Sequence, residues 1–202
     1  MEINNFEQIK GLLKFENSDE FYFVQVLQRN KENRELGSNN RLVKPYYIYS
    51  LEQLDRYKEE MILLAKTFNA RIYIHLNRRN AKMIALEMME DLAHSIKSNQ
   101  FYLSKIYSSA CGRHHSEKDK TWIIDYDYVT GHYMETVDGV IIDKIATSLA
   151  LIEPLNTQKI LARIPTKNGI HLICKPFNSQ KFKELYPKIE IHKNNPVNLF
   201  IP

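Results

Sequence analysis

Hydrophobic positions in the first half of the chain follow two different spacings. Apolar residues at every third or fourth position are typical of a helix with one buried face. Apolar residues at every second position are typical of a strand with one buried face. The predicted helices of this half are residues 5–15, 51–69, 80–99 and a shorter one at 102–110. The predicted strands are residues 21–27, 46–49 and 70–76. Ser50 and Gln53 have the spacing of a capping box before residue 51, and the polar segment 31–44 is predicted to be a surface loop.

The second half begins with a polar stretch, residues 112–120, that is the predicted seam between two lobes. The predicted strands are residues 122–128, 160–164, 170–174, 188–192 and 197–201, with the last two joined as a hairpin. The predicted helices are residues 137–152 and 179–186. Strands alternate loosely with helices and also form hairpins, a pattern that indicates an α+β or mixed α/β class. We therefore expect an N-terminal α/β unit, residues 1–111, and a second lobe, residues 112–202, within one compact domain.

Composition narrows the class of protein only slightly. Of the 202 residues, 44% are hydrophobic and 26% charged, as in ordinary globular proteins. No apolar run approaches the roughly 20 residues that a membrane span requires, and no signal peptide is visible at the N-terminus. Cys111 and Cys174 lack the spacing of metal ligands, so the predicted location is the reducing cytoplasm, with no membrane partner. The net charge of +4 is compatible with a polyanionic partner.

The first candidate site lies in the predicted strand 122–128, where Asp125 and Asp127 are two positions apart. Residues i and i+2 of a strand point to the same face, so the two carboxylates are expected to lie side by side. Neighbouring carboxylates raise each other's pKa unless a cation offsets them, and Mg²⁺ or Mn²⁺ prefers such oxygen ligands. The alternative is a solvent-facing side of the strand with two incidental acids.

The second candidate site is the predicted hairpin around Thr166-Lys-Asn-Gly169, which His171 follows. A glycine here permits a close backbone approach, and a histidine at the start of a strand can contact a phosphate or transfer a proton. Arg163, Lys167 and Lys175 lie on the same hairpin and are candidates for contacts with a triphosphate or a nucleic-acid backbone. The alternatives are a core histidine bonded to a carbonyl group and a solvated basic rim.

Two further segments carry candidate residues. Glu190 lies between two isoleucines in the predicted strand 188–192, where it is either a third carboxylate ligand or the polar side of an edge strand. Arg78 and Arg79 follow the predicted strand 70–76 and are placed either to grip a phosphate or to form a surface turn.

The order of these elements resembles the archaeo-eukaryotic primase superfamily, in particular the small primase–polymerase domains of plasmids and phages. The resemblance spans residues from about 112 to 202 and implies an RRM-like catalytic lobe packed against the N-terminal unit. It implies that Asp125, Asp127 and Glu190 bind two Mg²⁺ or Mn²⁺ ions. It also implies that Thr166, Gly169 and His171 form the second motif and that His171 contacts the incoming nucleotide.

The resemblance implies a primase-like nucleotidyltransferase that acts on nucleoside triphosphates and single-stranded DNA or RNA in replication. Asp125, Asp127, Glu190 and His171 would be catalytic, and Arg163, Lys167 and His171 would hold the triphosphate. The sequence contains no zinc-binding cysteine cluster or helicase module, so a helicase or other replication protein is an expected partner in trans. The alternative is a catalytically inactive nucleic-acid-binding or replication-initiation module of the same fold. A metal-dependent nuclease is a third class that uses clustered acids.

Overall fold

A computed structural model of the protein describes residues 2–100, 106–115 and 118–202. The strands of these residues are β1 (Ile3–Asn4), β2 (Glu20–Gln28), β3 (Arg41–Ile48), β4 (Arg71–Ile74), β5 (Arg79–Asn80), β6 (Trp122–Asp127), β7 (Ile160–Pro165), β8 (Gly169–Cys174), β9 (Glu190–His192) and β10 (Val197–Ile201). The α-helices are α1 (Phe6–Lys10), α2 (Leu51–Thr67), α3 (Ala81–Lys97), α4 (Ile106–Arg113), α5 (Val140–Leu151) and α6 (Ser179–Leu185). Both sheets are antiparallel, so the predicted α+β class is confirmed.

The first sheet has the strand order β1-β10-β4-β2-β3, and β5 pairs with the beginning of β2. Ser50 caps helix α2, and its side chain accepts a hydrogen bond from the backbone amide of Gln53, as predicted. The Gln53 side chain accepts from the amide of Tyr49 rather than from that of Ser50, so only half of the predicted capping box is formed. The apolar face of α2 packs on even-numbered residues of β2 and β4, among them Val24 and Ile72. Gln25 and Tyr73, whose positions are odd, therefore lie on the other face of this sheet.

The second sheet has the strand order β7-β8-β6-β9, and all neighbouring strands are antiparallel. Along the chain its elements run strand β6, helix α5, strands β7 and β8, helix α6, strand β9. Helices α5 and α6 cover one face, where Ile124 and Leu172 belong to their core. On the other face Ile123 and Ile173 belong to the core of the first sheet. The two sheets thus share a buried contact, and the exposed margin of that contact is where the candidate site lies.

The last strand of the chain corrects the predicted C-terminal hairpin. Strand β9 pairs with β6, whereas β10 pairs with β4 and β1 of the first sheet. All five residues of β10 are buried, as expected for an interior strand rather than one arm of an exposed hairpin. Residues 197–201 therefore complete the sheet of the N-terminal unit, although they lie within the predicted second lobe.

Two other predictions differ from the observed elements. The predicted loop 31–44 is a strand from Arg41 onward, because the backbone of β3 pairs with β2 although its side chains are polar at this edge position. The predicted helix 102–110 lies partly outside the described residues, and α4 extends it to Arg113. Among the described residues, no helix has the length and apolar character needed to cross a membrane.

Candidate functional site

Strand β6 presents its two aspartates to the contact between the sheets. Ile124 and Tyr126 face helix α5, so Asp125 and Asp127 lie on the opposite face, as predicted from their spacing. In the register of the sheet, Asp125 is paired with His171 on β8 and with Glu190 on β9. The three acids and the histidine that the sequence singled out therefore lie on neighbouring positions of one sheet face.

Gly169 fixes the position of the β7–β8 turn beside the second aspartate. It is paired with Asp127, and a Cβ atom at this residue would lie 2.1 Å from the carbonyl oxygen of Tyr126. No other amino acid fits without moving a strand. The turn is closed by a hydrogen bond of 3.0 Å from the Thr166 amide to the Gly169 carbonyl. A second bond, 2.9 Å from the Tyr128 amide to the Asn168 carbonyl, ties it to β6.

Two imidazole rings lie near Asp125. The Nε2 atom of His171 is 3.5 Å from Oδ1 of Asp125, and the Nε2 atom of His192 is 3.9 Å from Oδ2. The same atom of His192 is 3.3 Å from a carboxylate oxygen of Glu190, whose side chain remains 70% exposed. Glu190 is thus oriented toward His192 and solvent at the rim of the site, while Asp125 is partly buried.

The protonation of the site is set mainly by burial. Burial raises the pKa of Asp125 above its usual range; the negative charge of Glu190 acts in the same direction, and His192 opposes it. Burial also raises the pKa of Asp127, with further increases from Asp125 and Glu190. The pKa of His171 is lowered to about 4 by burial and by the nearby His192. His171 is therefore neutral near pH 7, so its contact with Asp125 is not an ion pair.

The two aspartates and His171 open into a cleft of about 750 Å³ between the sheets. Its basic residues come from both lobes: Arg29, Lys31 and Arg71 from the first, and Lys167 from the turn of the second. Three of them, Arg29, Arg71 and Lys167, surround Glu32, which accepts a two-pronged hydrogen bond from the buried guanidinium of Arg71. The Nζ atom of Lys167 lies 3.8 Å from the same carboxylate.

The charge state of Glu32 shows how strong this basic environment is. Burial by itself favours the neutral acid, but the hydrogen bond and charge of Arg71 lower the pKa of Glu32 below its usual range. The positive charges of Arg29 and Lys167 act in the same direction. The cleft therefore stabilises an anionic oxygen group at the position that Glu32 occupies.

Several of these cleft residues were missed in the sequence. Arg71 begins a buried strand and is itself 6% exposed, and Glu32 lies in the segment predicted to be a solvated loop. His192 follows Glu190 by two positions, a spacing that could have indicated a shared face. Nothing local in the sequence marks Arg71 and Glu32, since they join the site only through the contact of the two lobes.

Some predicted residues lie elsewhere. Arg163 is paired with Leu172, so it lies on the helical face of its sheet, where it binds Asp143 of α5 at 3.1 Å. Lys175 lines a separate cavity. The expected clustering of Arg163 and Lys175 with His171 is therefore corrected. Arg163 lies on the opposite face of the sheet, and Lys175 lies four residues farther along the chain, beyond the end of β8.

Arg78 and Arg79 were expected either to bind a phosphate or to form a surface turn, but both side chains are buried. Arg78 is 3% exposed, and its guanidinium lies 2.8 Å from Glu20. Arg79 is completely buried and donates a hydrogen bond of 2.7 Å to the carbonyl of Cys111. Both arginines are structural links between segments of the chain rather than a surface turn or a phosphate grip.

The carboxylates of the cleft meet part of the needs of a divalent cation. Within residues 2–100, 106–115 and 118–202, no group of three or more His, Cys, Asp or Glu side chains is arranged to hold a metal ion. Asp125 and Asp127 nonetheless fit Mg²⁺, which proteins often bind through one or two carboxylates while water and phosphate oxygens complete the shell. Their raised pKa values are the expected property of acids that a cation would stabilise.

The chain matches no family model, no curated protein and no solved structure. The order of the motifs and the chemistry of the cleft are therefore the features that indicate a function.

Proposed function

We propose that the protein is a primase-like nucleotidyltransferase, which binds a nucleoside triphosphate with Mg²⁺ or Mn²⁺ between its two sheets and acts on single-stranded DNA. One observation carries the proposal. Asp125, Asp127 and His171 share a cleft with the cations Arg71 and Lys167, which come from different lobes. Phosphoryl transfer requires carboxylates that bind a divalent metal ion and, beside them, basic side chains that bind phosphate.

The topology of the second sheet supports the expected RRM-like lobe. Its β-α-β-β-α-β order along the chain, with β6 and β8 as the two central strands, is that of ferredoxin-like folds. The two aspartates lie on a central strand and His171 on the other, on the face opposite the helices. The first sheet covers part of this face, and the cleft at its margin is available to a ligand.

In the proposed reaction a 3′-hydroxyl oxygen attacks the α-phosphorus of the nucleotide and a new P–O bond forms. The bond from the α-phosphorus to the bridging oxygen of the β-phosphate breaks, pyrophosphate leaves, and the hydroxyl proton passes to solvent. Asp125 and Asp127 would hold the divalent cation, which offsets charge on the phosphate oxygens. Arg71 and Lys167 would neutralise the triphosphate, in place of their present partner Glu32. His171, neutral at pH 7, would donate its single N–H, at Nε2, to a phosphate oxygen in place of its present neighbour Asp125, because its Nδ1 atom is buried.

The test is the incorporation of labelled nucleotide on a primed single-stranded template. We expect Mg²⁺- or Mn²⁺-dependent extension by the wild type and a loss of at least 100-fold, on the order expected when a charge-stabilising group is removed, in Asp125→Asn/Asp127→Asn. Asp143→Asn is the matched control, because this aspartate is 73% exposed on the helical side of the same sheet. Equal extension by the double variant and the wild type would contradict the proposal.

A catalytically inactive nucleic-acid-binding module is the second candidate, and the position of Glu190 favours it. This side chain is largely exposed and contacts His192, so a third carboxylate ligand is not assembled among the described residues. Such a module would bind single strands with strong salt dependence but would gain no thermal stability from Mn²⁺ and nucleotide. The enzyme, by contrast, should melt at a higher temperature when both ligands are present.

A further inference from the structure

The floor of the cleft is a row of polar side chains on the first sheet, opposite the acids. Gln25 of β2, Tyr73 of β4 and Asn198 of β10 are cross-strand partners in register, and all three line the cleft. They belong to three adjacent strands, so their side chains form a line across the sheet. None of them belongs to the motifs of the second lobe.

The side chain of Asn198 lacks a hydrogen-bond donor among the described residues for its buried oxygen atom. The residue is 4% exposed, and its Oδ1 atom is buried without any hydrogen-bond donor in the described part of the chain. A buried amide oxygen without a donor has lost the hydrogen bonds that water would provide, which is unfavourable unless a ligand replaces them. The backbone carbonyl of Asn198 is already satisfied by the side chain of Asn5, so β10 is held in place independently of this group. Because Asn198 lines the cleft, a rotation of its carboxamide toward the cleft would let a ligand hydroxyl group supply the missing donor.

The position of the row relative to the cations identifies the part of a ligand that would reach it. Arg71 and Tyr73 are two residues apart on β4, so their Cα atoms lie about 7 Å apart along the strand. A triphosphate bound at Arg71 and Lys167 therefore has its nucleoside end within reach of Tyr73 and, across the strands, of Gln25 and Asn198. The aromatic ring and the two carboxamides match the apolar and hydroxyl surfaces of a nucleoside.

We propose that Gln25, Tyr73 and Asn198 form the nucleoside subsite of the cleft, in which Tyr73 packs against the nucleoside and the two carboxamides bind its sugar hydroxyl groups. This inference rests on the proposed function, because the cation end of the cleft defines the orientation of the nucleotide. It adds a selective role for the N-terminal lobe, which would discriminate a nucleotide from any other polyphosphate.

The test compares the binding of ATP and inorganic tripolyphosphate to the full chain, by calorimetry with Mn²⁺. The wild type should bind ATP at least tenfold more tightly than tripolyphosphate. Tyr73→Ala and Gln25→Ala should each lose at least fivefold in affinity for ATP, with less than twofold change for tripolyphosphate. Tyr49→Ala is the matched control, since Tyr49 is 40% exposed and lies outside the cleft lining.

The outcomes separate the two proposals. If the wild type binds both ligands and the variants keep their affinity for ATP, the nucleoside subsite is wrong while the proposed function stands. An equal loss for both ligands would also overturn the subsite, since the variants would then have damaged the cleft as a whole. If the wild type binds neither ligand, the proposed function itself fails.

Discussion

Substitution of Gly169 by alanine tests the packing on which the site depends. The new methyl group would meet the Tyr126 carbonyl oxygen at 2.1 Å, the Asp127 Cα at 2.8 Å and the Tyr126 carbonyl carbon at 2.9 Å. All three are backbone atoms of β6, so no side-chain rotation relieves the overlap. The strands β6 and β8 must separate, and the pairing of Asp125 with His171 moves with them.

The size of the effect follows from the cost of overpacking. Extra methyl groups in packed interiors cost about 1–3 kcal/mol, and rigid backbone neighbours place Gly169→Ala at the upper end, at about 3 kcal/mol. Urea unfolding followed by the fluorescence of Trp122, the single tryptophan of the chain, measures this free energy directly. We expect a lower midpoint with an unchanged slope.

Gly112→Ala is the control for this experiment. Gly112 lies in helix α4, and a Cβ atom there meets nothing within 4 Å. Alanine in a helix is favoured over glycine, so this variant should be more stable by about 0.5–1 kcal/mol. A Gly169→Ala variant within about 0.5 kcal/mol of the wild type, a difference typical of a surface substitution, would refute the packing argument.

Three further predictions concern the site and the last strand. Because burial raises the pKa of Asp125 above its ordinary value of 3.8, folding stability falls as the pH rises from 3.8 through the raised pKa. Asp125→Asn should therefore melt at a higher temperature than the wild type at pH 7 without divalent cations, and the difference should vanish below pH 3.8. A lower melting temperature of the variant at pH 7 would contradict the raised pKa of Asp125. The pKa of His171 is lowered from 6.5 to about 4, so its NMR ring signals should not titrate near pH 6.5. Its contribution to stability should decline as the pH falls from 6.5 toward 4. An NMR titration midpoint near 6.5 would disprove the effect of burial. Deletion of residues 197–202 removes four buried apolar side chains, worth about 1.5–3 kcal/mol each, and should abolish cooperative unfolding by circular dichroism; an intact transition would show that β10 is dispensable.

Local features of the sequence were sufficient for part of the site. The shared face of Asp125 and Asp127 follows from the two-residue period of a strand, and the turn between β7 and β8 follows from the turn-forming residues 166–169. The helix start at Ser50 likewise depends on residues only three positions apart. Each of these predictions involves neighbouring residues and is independent of the overall topology.

The remaining features depend on contacts between distant segments. Arg71 and Glu32 are 39 residues apart, and Lys167 reaches the same carboxylate from the other lobe. The partner of β10 could not be chosen from its apolar sequence, which suits an interior strand of either sheet. Arg163 faces α5 because of its register with β8, and the irregularity between Ile160 and Ala162 makes that register difficult to predict.

The central claim is that Asp125 and Asp127 bind a divalent cation together with a nucleoside triphosphate. Titration of the wild type and of Asp125→Asn/Asp127→Asn with Mn²⁺ and ATP, measured by calorimetry, tests it most directly. The proposed site predicts that the wild type binds Mn²⁺ more tightly when ATP is present, and that the double variant loses at least tenfold of that affinity while it remains folded. Equal affinity of the two proteins for Mn²⁺ and ATP would contradict it.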